Sequence, residues 1–283
     1  MNAAPSRPWE YSAFRVRVDR TARLSPGFVR ITLAGDALRN FAPWGLDQRI
    51  KLVLPMRDGT TPEFGLQTDP TPHPREWYAR WKALPEDERN VLRTYTPSAI
   101  RSDAGEIDVD VFVHEPAGPA STWAMTCAPG DELTITGPDA RAGWTGYGIH
   151  FVPPHGCERL LLIGDESALP AVRNIVRAMP TTATDALLEI ADPDDAVLAA
   201  SVAPESRARI RVVERDGMPG ESLEKAARAW LRAHGGMLAG AYAWIAGEAS
   251  TTTRIRGLLT AAGMTKEQVA FLGYWKSGGP LVG

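Results

Sequence analysis

The chain has 283 residues, 44% of them hydrophobic and 23% charged, with a formal net charge of −3 at pH 7. That length allows two domains of ordinary size, roughly 100–150 residues each. The near-neutral charge excludes a global electrostatic case for nucleic acid or an anionic membrane as partner, so any basic site has to be local.

Two cysteines, Cys127 and Cys157, are too few for an iron–sulfur cluster and form no zinc spacing. They are expected as reduced thiols. The five histidines are scattered singly, so no protein-bound metal is expected. The opening MNAAPSRPWEYSAF has no apolar signal core, and no apolar run approaches the ~20 residues of a membrane span. These features predict a cytoplasmic protein with no membrane insertion.

In chain order, the first half reads as strands. FRVRVDR (14–20), FVRITLAG (28–35), RIKLVLP (49–55), VLRTYT (91–96), IDVDVFVH (107–114) and DELTITG (131–137) are short, rich in β-branched residues and separated by Gly, Pro and Asp. Six such strands with no long helix between them predict a six-stranded antiparallel β-barrel. In IDVDVFVH, Ile107, Val109, Val111 and Val113 share one face. Asp108, Asp110, Phe112 and His114 share the other, which predicts a ring and an imidazole shown to a ligand at the far end. The insertion at 57–90 is proline-rich and then helical, a length of connection that is often functional or mobile.

Within that half, RTYT (93–96) places an arginine, a ring and two hydroxyls at a strand end. Arg93 offers a rigid fork of donors suited to phosphate. Tyr95 points to the same side as Arg93, and Thr96 to the other. HEPAGPASTWA (114–124) adds a tight turn at Gly118 and Pro119, with Ala120 and Ser121 leaving the backbone open before a helix. That turn is a second phosphate-ready element.

From about residue 150 the rhythm changes. RLLLIG (159–164), DALLEIAD (185–192), RIRVVER (209–215), YAWIAGE (242–248) and QVAFLGYW (268–275) read as strands, with helices at 167–179, 219–234 and 249–262. Alternating strands and helices predict a parallel sheet with helices on both faces. The predicted domains are therefore 1–150 and 151–283. LLLIGDESALPAVRNIV (160–176) is a strand, a turn and a helix with Pro170 in its first turn, a place where a helix N-terminus meets phosphate. It lacks the GxGxxG fingerprint. At the end of the second strand of this sheet, EIADPDD puts Asp192, Asp194 and Asp195, with no arginine expected beside them. An acidic group there favours a free ribose hydroxyl, and so NADH.

RTYT, VDVFVHEPAGPASTWA, LLIGDESALPAV, AYAWIAGE and LGYWKSG occur in the order seen in siderophore-interacting proteins. The chain resembles that family from about residue 10 to 277, including WYARWKALPEDER before the flavin strand. The resemblance implies a two-domain ferredoxin-reductase-like fold: an N-terminal FAD-binding barrel and a C-terminal NAD(P)H-binding α/β domain. It implies an FAD-dependent reductase that moves electrons from NADH or NADPH through flavin to a ferric siderophore and releases Fe(II).

By the same resemblance Arg93 binds the FAD pyrophosphate, Tyr95 stacks on the isoalloxazine and Thr96 reaches flavin N5, the last two being the catalytic pair. His114, Gly118, Ala120, Ser121 and Trp123 line the rest of FAD. Gly164, Asp165, Ser167, Ala168 and Pro170 form the nicotinamide dinucleotide loop, with Gly247 and Glu248 at the next strand end. Tyr274, Trp275 and Lys276 close over the flavin. The family often carries an arginine two residues after its RxYT motif; this chain has Pro97 and Ser98, and an arginine only at Arg101. Lys51 and Lys276 are the candidate cationic rim for an anionic ferric siderophore, with Arg49 and Arg101 behind them. A monomer is expected. A general flavin or ferredoxin-linked reductase, and a siderophore-binding flavoprotein without catalysis, remain alternatives.

Overall fold

The structure is a computed structural model that describes residues 10–56, 58–202 and 206–278. It divides into two compact units, one of Met1–Arg23 with Val29–Ile149, the other of Leu24–Phe28 with His150–Gly283.

Apart from the end of β1 and the first residue of β2, which fall in the 24–28 stretch, the first unit holds β1 (Tyr11–Ser25), β2 (Phe28–Ala34), β3 (Ile50–Val53), helix α1 (Pro74–Ala83), β4 (Leu92–Tyr95), β5 (Ala99–Arg101), β6 (Glu106–Phe112), helix α2 (Pro119–Thr126) and β7 (Glu132–Pro138). Its sheet has seven strands in the order β4-β3-β7-β1-β2-β6-β5. The pairs β1–β7, β3–β7, β3–β4 and β5–β6 run antiparallel. The two edge strands, β4 and β5, are joined by residues 96–98 alone. Four Cα steps reach about 14 Å at most, so the sheet must curl until its edges lie close, as a half-barrel.

The strand beyond the predicted six is β5. Its three residues, Ala99–Arg101, are too few to show a period. Inside the curl, Phe14, Val16, Ile31, Leu52, Val109 and Ile135 form the core. A fully buried side chain of this kind contributes about 1.5–3 kcal/mol. The 57–90 insertion has its own anchor: Phe64, Leu66 and Trp77 pack with Tyr11 and Val53 in a second cluster. The Tyr11 hydroxyl accepts from the Trp77 indole and donates to the Pro72 carbonyl at 2.7 Å.

The second unit runs β8 (Arg159–Asp165), α3 (Leu169–Ala178), β9 (Ala183–Ile190), α4 (Ala196–Ala200), β10 (Ala208–Glu214), α5 (Glu221–His234), β11 (Ala241–Glu248), α6 (Ala249–Ala261) and β12 (Val269–Trp275). Its five strands are all parallel, in the order β10-β9-β8-β11-β12. The winding reverses between β8 and β11, where ligands of open parallel sheets bind at the carboxyl ends of the strands. Leu161, Ile163, Ala243 and Ile245 are fully buried under Leu223, Trp230 and Leu259 of the covering helices. Near-continuous apolar strands are what a sheet covered on both faces requires. Among the described residues no helix is long and apolar enough to cross a membrane.

Candidate functional site

In the first unit, the β3–β4 ladder sets which side chains can act together. Ile50 stands opposite Tyr95 and Leu52 opposite Arg93, while Lys51 stands opposite Thr94. Directly opposed residues share a face. Arg93 and Tyr95 therefore lie on the side of the barrel core, against which Tyr95 packs half-buried. Lys51 lies on the other face. Because β4 is an edge strand, a ligand lying along that edge is within reach of both faces.

Burial pushes the Tyr95 hydroxyl up to about 12, with Arg93 pulling the other way, so the ring is neutral near pH 7. Arg93 donates from Nη1 to its neighbour's carbonyl, Leu92 O, at 2.9 Å, and forms no ion pair among the described residues. Thr96 is buried at the strand's end.

Helix α2 supplies the second part. Ala120, Ser121 and Ala124 are buried and anchor it, and Trp123 packs half-buried against the barrel core. Its N-cap is Gly118, with Pro119 in the first turn and no side-chain cap. First-turn N–H groups are thus left for another acceptor. A Cβ on Gly118 would meet only His114 Nε2, at 3.7 Å. Protein packing does not demand glycine there, and the open space would admit close approach of a ligand to the backbone. The rings of Phe112 and His114 lie 6.3 Å apart, with His114 exposed, as the alternation in β6 predicts.

The rest of that β6 face is turned to ion pairing. Asp108 and Asp110 are buried in ion pairs: Asp108 receives two bonds from Arg101, at 2.8 and 2.7 Å, and Asp110 two from Arg30, at 2.7 and 2.9 Å. Arg101 is also held by Glu106 at 3.0 Å, so it is withdrawn from any cationic rim. Lys51 has no acidic partner among the described residues. Its half-burial, and then the Arg49 charge, hold its pKa below the usual lysine value. The buried Nε of Arg49 has no hydrogen-bond partner.

In the second unit, the turn after β8 is organised by Asp165. This buried carboxylate accepts from Ser167 N at 2.9 Å, the Ser167 hydroxyl, Glu248 N at 3.1 Å and the Trp275 indole at 2.7 Å. Burial raises its pKa; the Ser167 and Trp275 bonds oppose the shift. A Cβ on Gly247 would sit 2.5 Å from Asp165 Oδ2, and φ is +144° there, so glycine admits the carboxylate to the end of β11. A Cβ on Gly164 would run into Ala168 and the Ala246 carbonyl. Ala168 is fully buried, and Pro170 lies in the first turn of α3. Glu248 caps α6, accepting from Thr251 N at 2.8 Å and from the Ser250 hydroxyl at 2.6 Å. Tyr274 meets the buried Trp244 edge-on, with ring centroids 6.3 Å apart, and Lys276 is exposed. A cavity of about 330 Å3 lined by Pro219, Glu221, Glu248, Ser250 and Arg254 lies beside these strand ends.

The three aspartates after β9 do not act alike. Asp195 is buried and accepts from Gly27 N at 2.8 Å, and Asp192 caps the turn by accepting from Asp194 N at 2.9 Å. Nor is the region without an arginine. Arg215 N donates to Ile190 O at 3.1 Å, which brings Arg215 beside the end of β9. Its guanidinium bridges Glu166 and Glu189, an arrangement that sequence reasoning missed.

The family model described as a siderophore-interacting FAD-binding domain matches residues 17–142, and the one described as siderophore-interacting protein matches 157–278. The chain belongs to the siderophore-interacting protein family. An NADPH-dependent ferric-chelate reductase of Escherichia coli is 34% identical over 161 residues, 54% of this chain and 52% of that one. A mycobactin import ATP-binding/permease protein, IrtA, of Mycolicibacterium smegmatis is 30% identical over 213 residues, 74% of this chain and 23% of that one. This member of the siderophore-interacting family thus spans about half or less of these relatives' lengths. SipS from Aeromonas hydrophila superposes with a TM-score of 0.69 at 22% identity, covering 96% of this chain and 94% of that one. A ferredoxin reductase in carbazole 1,9a-dioxygenase gives 0.66 at 16% identity, covering 94% and 70%. At such identities the likeness is one of fold, and the fold of this family member is ferredoxin-reductase-like. Its first unit is the family's FAD-binding domain.

Proposed function

We propose that the protein is an FAD-dependent reductase that passes electrons from NADH or NADPH to the iron of a ferric siderophore and releases Fe(II) in the cytoplasm, acting as a monomer. The observation that carries this reading is the presence, within the FAD-binding unit, of an arginine without an ion-pair partner among the described residues (Arg93), a half-buried neutral ring (Tyr95) and an uncapped helix N-terminus at Gly118. A cationic fork, a flat wall and free N–H groups are what a flavin dinucleotide needs from a protein. The residues fit the cofactor.

Bound FAD supplies the redox chemistry, taking electrons from a reduced nicotinamide and handing them singly to iron. The chain's own residues bind and orient. Arg93 and the first-turn N–H groups of α2 would hold the pyrophosphate, in charge-assisted bonds. Tyr95 would stack on the ring system, His114 and Trp123 would line the rest of the dinucleotide, and the Thr96 hydroxyl would serve the reactive nitrogen. In the second unit, the Gly164–Pro170 turn and Gly247 present backbone to the nicotinamide dinucleotide, while Asp165 fixes the Trp275 indole. Lys51 and Lys276 attract the anionic chelate. No acid–base pair is required, because the substrate's change is one of iron oxidation state.

The test is anaerobic mixing of FAD-loaded protein with NADH or NADPH, followed by a ferric chelate and an Fe(II) trap. Bleaching of the flavin band, its recovery on adding chelate, and trapped Fe(II) are expected. A flavin that neither coenzyme bleaches sinks the reading. Bleaching only with reduced ferredoxin as donor would transfer the protein to the ferredoxin-linked class.

A further inference from the structure

The carboxyl ends of β9 and β10 are where the adenosine ribose of a dinucleotide on this sheet has to be read. An acidic group there accepts from a free 2′-hydroxyl, and an arginine there accommodates a 2′-phosphate. Residues 191–195 read ADPDD and 214–217 read ERDG, so Arg215 is the one basic residue in these two stretches.

Arg215 is not open to a phosphate. Its Nη2 donates to Glu166 Oε2 at 2.6 Å and its Nε to Glu189 Oε2 at 3.1 Å, and its side chain is only 18% exposed. Both glutamates are themselves fixed. Glu166 Oε1 accepts from Ala191 N at 2.7 Å, and Glu189 accepts from Gly220 N at 2.9 Å and Leu223 N at 3.3 Å. The glutamate side chains are 2% and 1% exposed. A buried carboxylate pair bonded to backbone N–H groups does not swing aside, and two carboxylates against one guanidinium leave no positive charge to offer.

We propose that Glu166 and Glu189 select NADH by withholding Arg215, so that this end of the sheet takes a ribose with a free 2′-hydroxyl and rejects the dianionic 2′-phosphate. This rests on the reading above that a nicotinamide coenzyme binds at these strand ends. A 2′-phosphate has to compete with both glutamates for the guanidinium and also meets the exposed Asp192 and Asp194.

The experiment measures calorimetric affinities of the FAD-loaded protein for 5′-AMP and 2′,5′-ADP, probes that differ by the 2′-phosphate. Wild type should favour 5′-AMP, and Arg215→Ala should leave its affinity for 2′,5′-ADP no weaker. The Glu166→Gln/Glu189→Gln double variant keeps one acceptor oxygen on each side chain and removes both charges. It should shift the ratio toward 2′,5′-ADP by roughly tenfold, the effect of about 1.4 kcal/mol. Adding Arg215→Ala to that background should cancel the shift. A wild-type preference for 2′,5′-ADP that Arg215→Ala abolishes overturns the proposal. So does an unmoved ratio in a double variant with native circular dichroism, and the Arg215→Ala arm decides the matter if that variant does not fold. Failure of both coenzymes to bleach the flavin would instead strike the functional reading, which these probe affinities do not measure.

Discussion

The candidate sites of the two units treat their polar side chains in opposite ways. In the FAD-binding unit Arg93 has only a neighbour's carbonyl, Lys51 has no acidic partner among the described residues, and the N-cap of α2 is a bare glycine. At the strand ends of the second unit, Asp165, Glu166, Glu189, Arg215 and Glu248 are all engaged with one another or with backbone N–H groups. A site with spare donors grips its ligand through side chains. A site whose charges are satisfied internally presents a rigid backbone surface and reads shape. The first should lose affinity when a side chain is removed, and the second should lose stability.

The largest expected effect is in the first unit. Arg93→Ala should weaken FAD binding by about tenfold to a hundredfold, the range for one charge-assisted contact of about 1.5–3 kcal/mol. The check is flavin fluorescence titration, with the melting temperature of the apoprotein unchanged. A large fall in that melting temperature would show Arg93 to be structural and erase the contrast.

Two glycines sharpen the comparison. Gly247→Ala places a methyl against Asp165 at a φ of +144°, and should cost about 2 kcal/mol in denaturant unfolding. Gly118→Ala has 3.7 Å of clearance and should leave stability alone while lowering FAD affinity. Equal stability losses at the two positions would mean that the α2 turn is as tightly packed as the switch point.

Trp275→Phe removes one donor from buried Asp165 and should cost about 1 kcal/mol. Its effect on FAD affinity should be small.

The smallest effects belong to the lysines. Lys51→Ala combined with Lys276→Ala should lower turnover of an anionic ferric siderophore severalfold, with little change in flavin reduction. Salt should lower wild-type turnover in the same direction, since exposed charges are screened over ~10 Å at 0.1 M. Lys51 is held below the usual lysine value by burial and by Arg49. Its charge is therefore lost at lower pH than a free lysine's, and turnover of the anionic chelate should fall early as pH rises. Lys51→Arg, which stays charged, should remove that early fall. A neutral chelate showing the same pH profile would rule out Lys51 as the cause.

Much of this was legible in the chain itself. Period-two strands with turn residues between them, followed by strands alternating with helices, determined the two architectures, because backbone geometry imposes those periods wherever a face is buried. RTYT and HEPAGPASTWA were legible as a strand end and a proline-started helix, since strand alternation and helix starts are local facts. The seventh strand, β5, was not legible because three residues carry no period.

Only the tertiary structure decided which charges are available. Arg101, a candidate for the rim, is held by Asp108 and Glu106. Asp195 turns inward to Gly27, and Asp165 joins Trp275 across 110 positions of sequence. Arg215 meets Glu166 across 49 positions and Glu189 across 26. An ion pair or buried hydrogen bond depends on distances of about 3 Å between side chains brought together by separate strands. Residue identity and spacing determine which groups exist and which way a strand turns them; the packed sheet determines which remain free to meet a ligand.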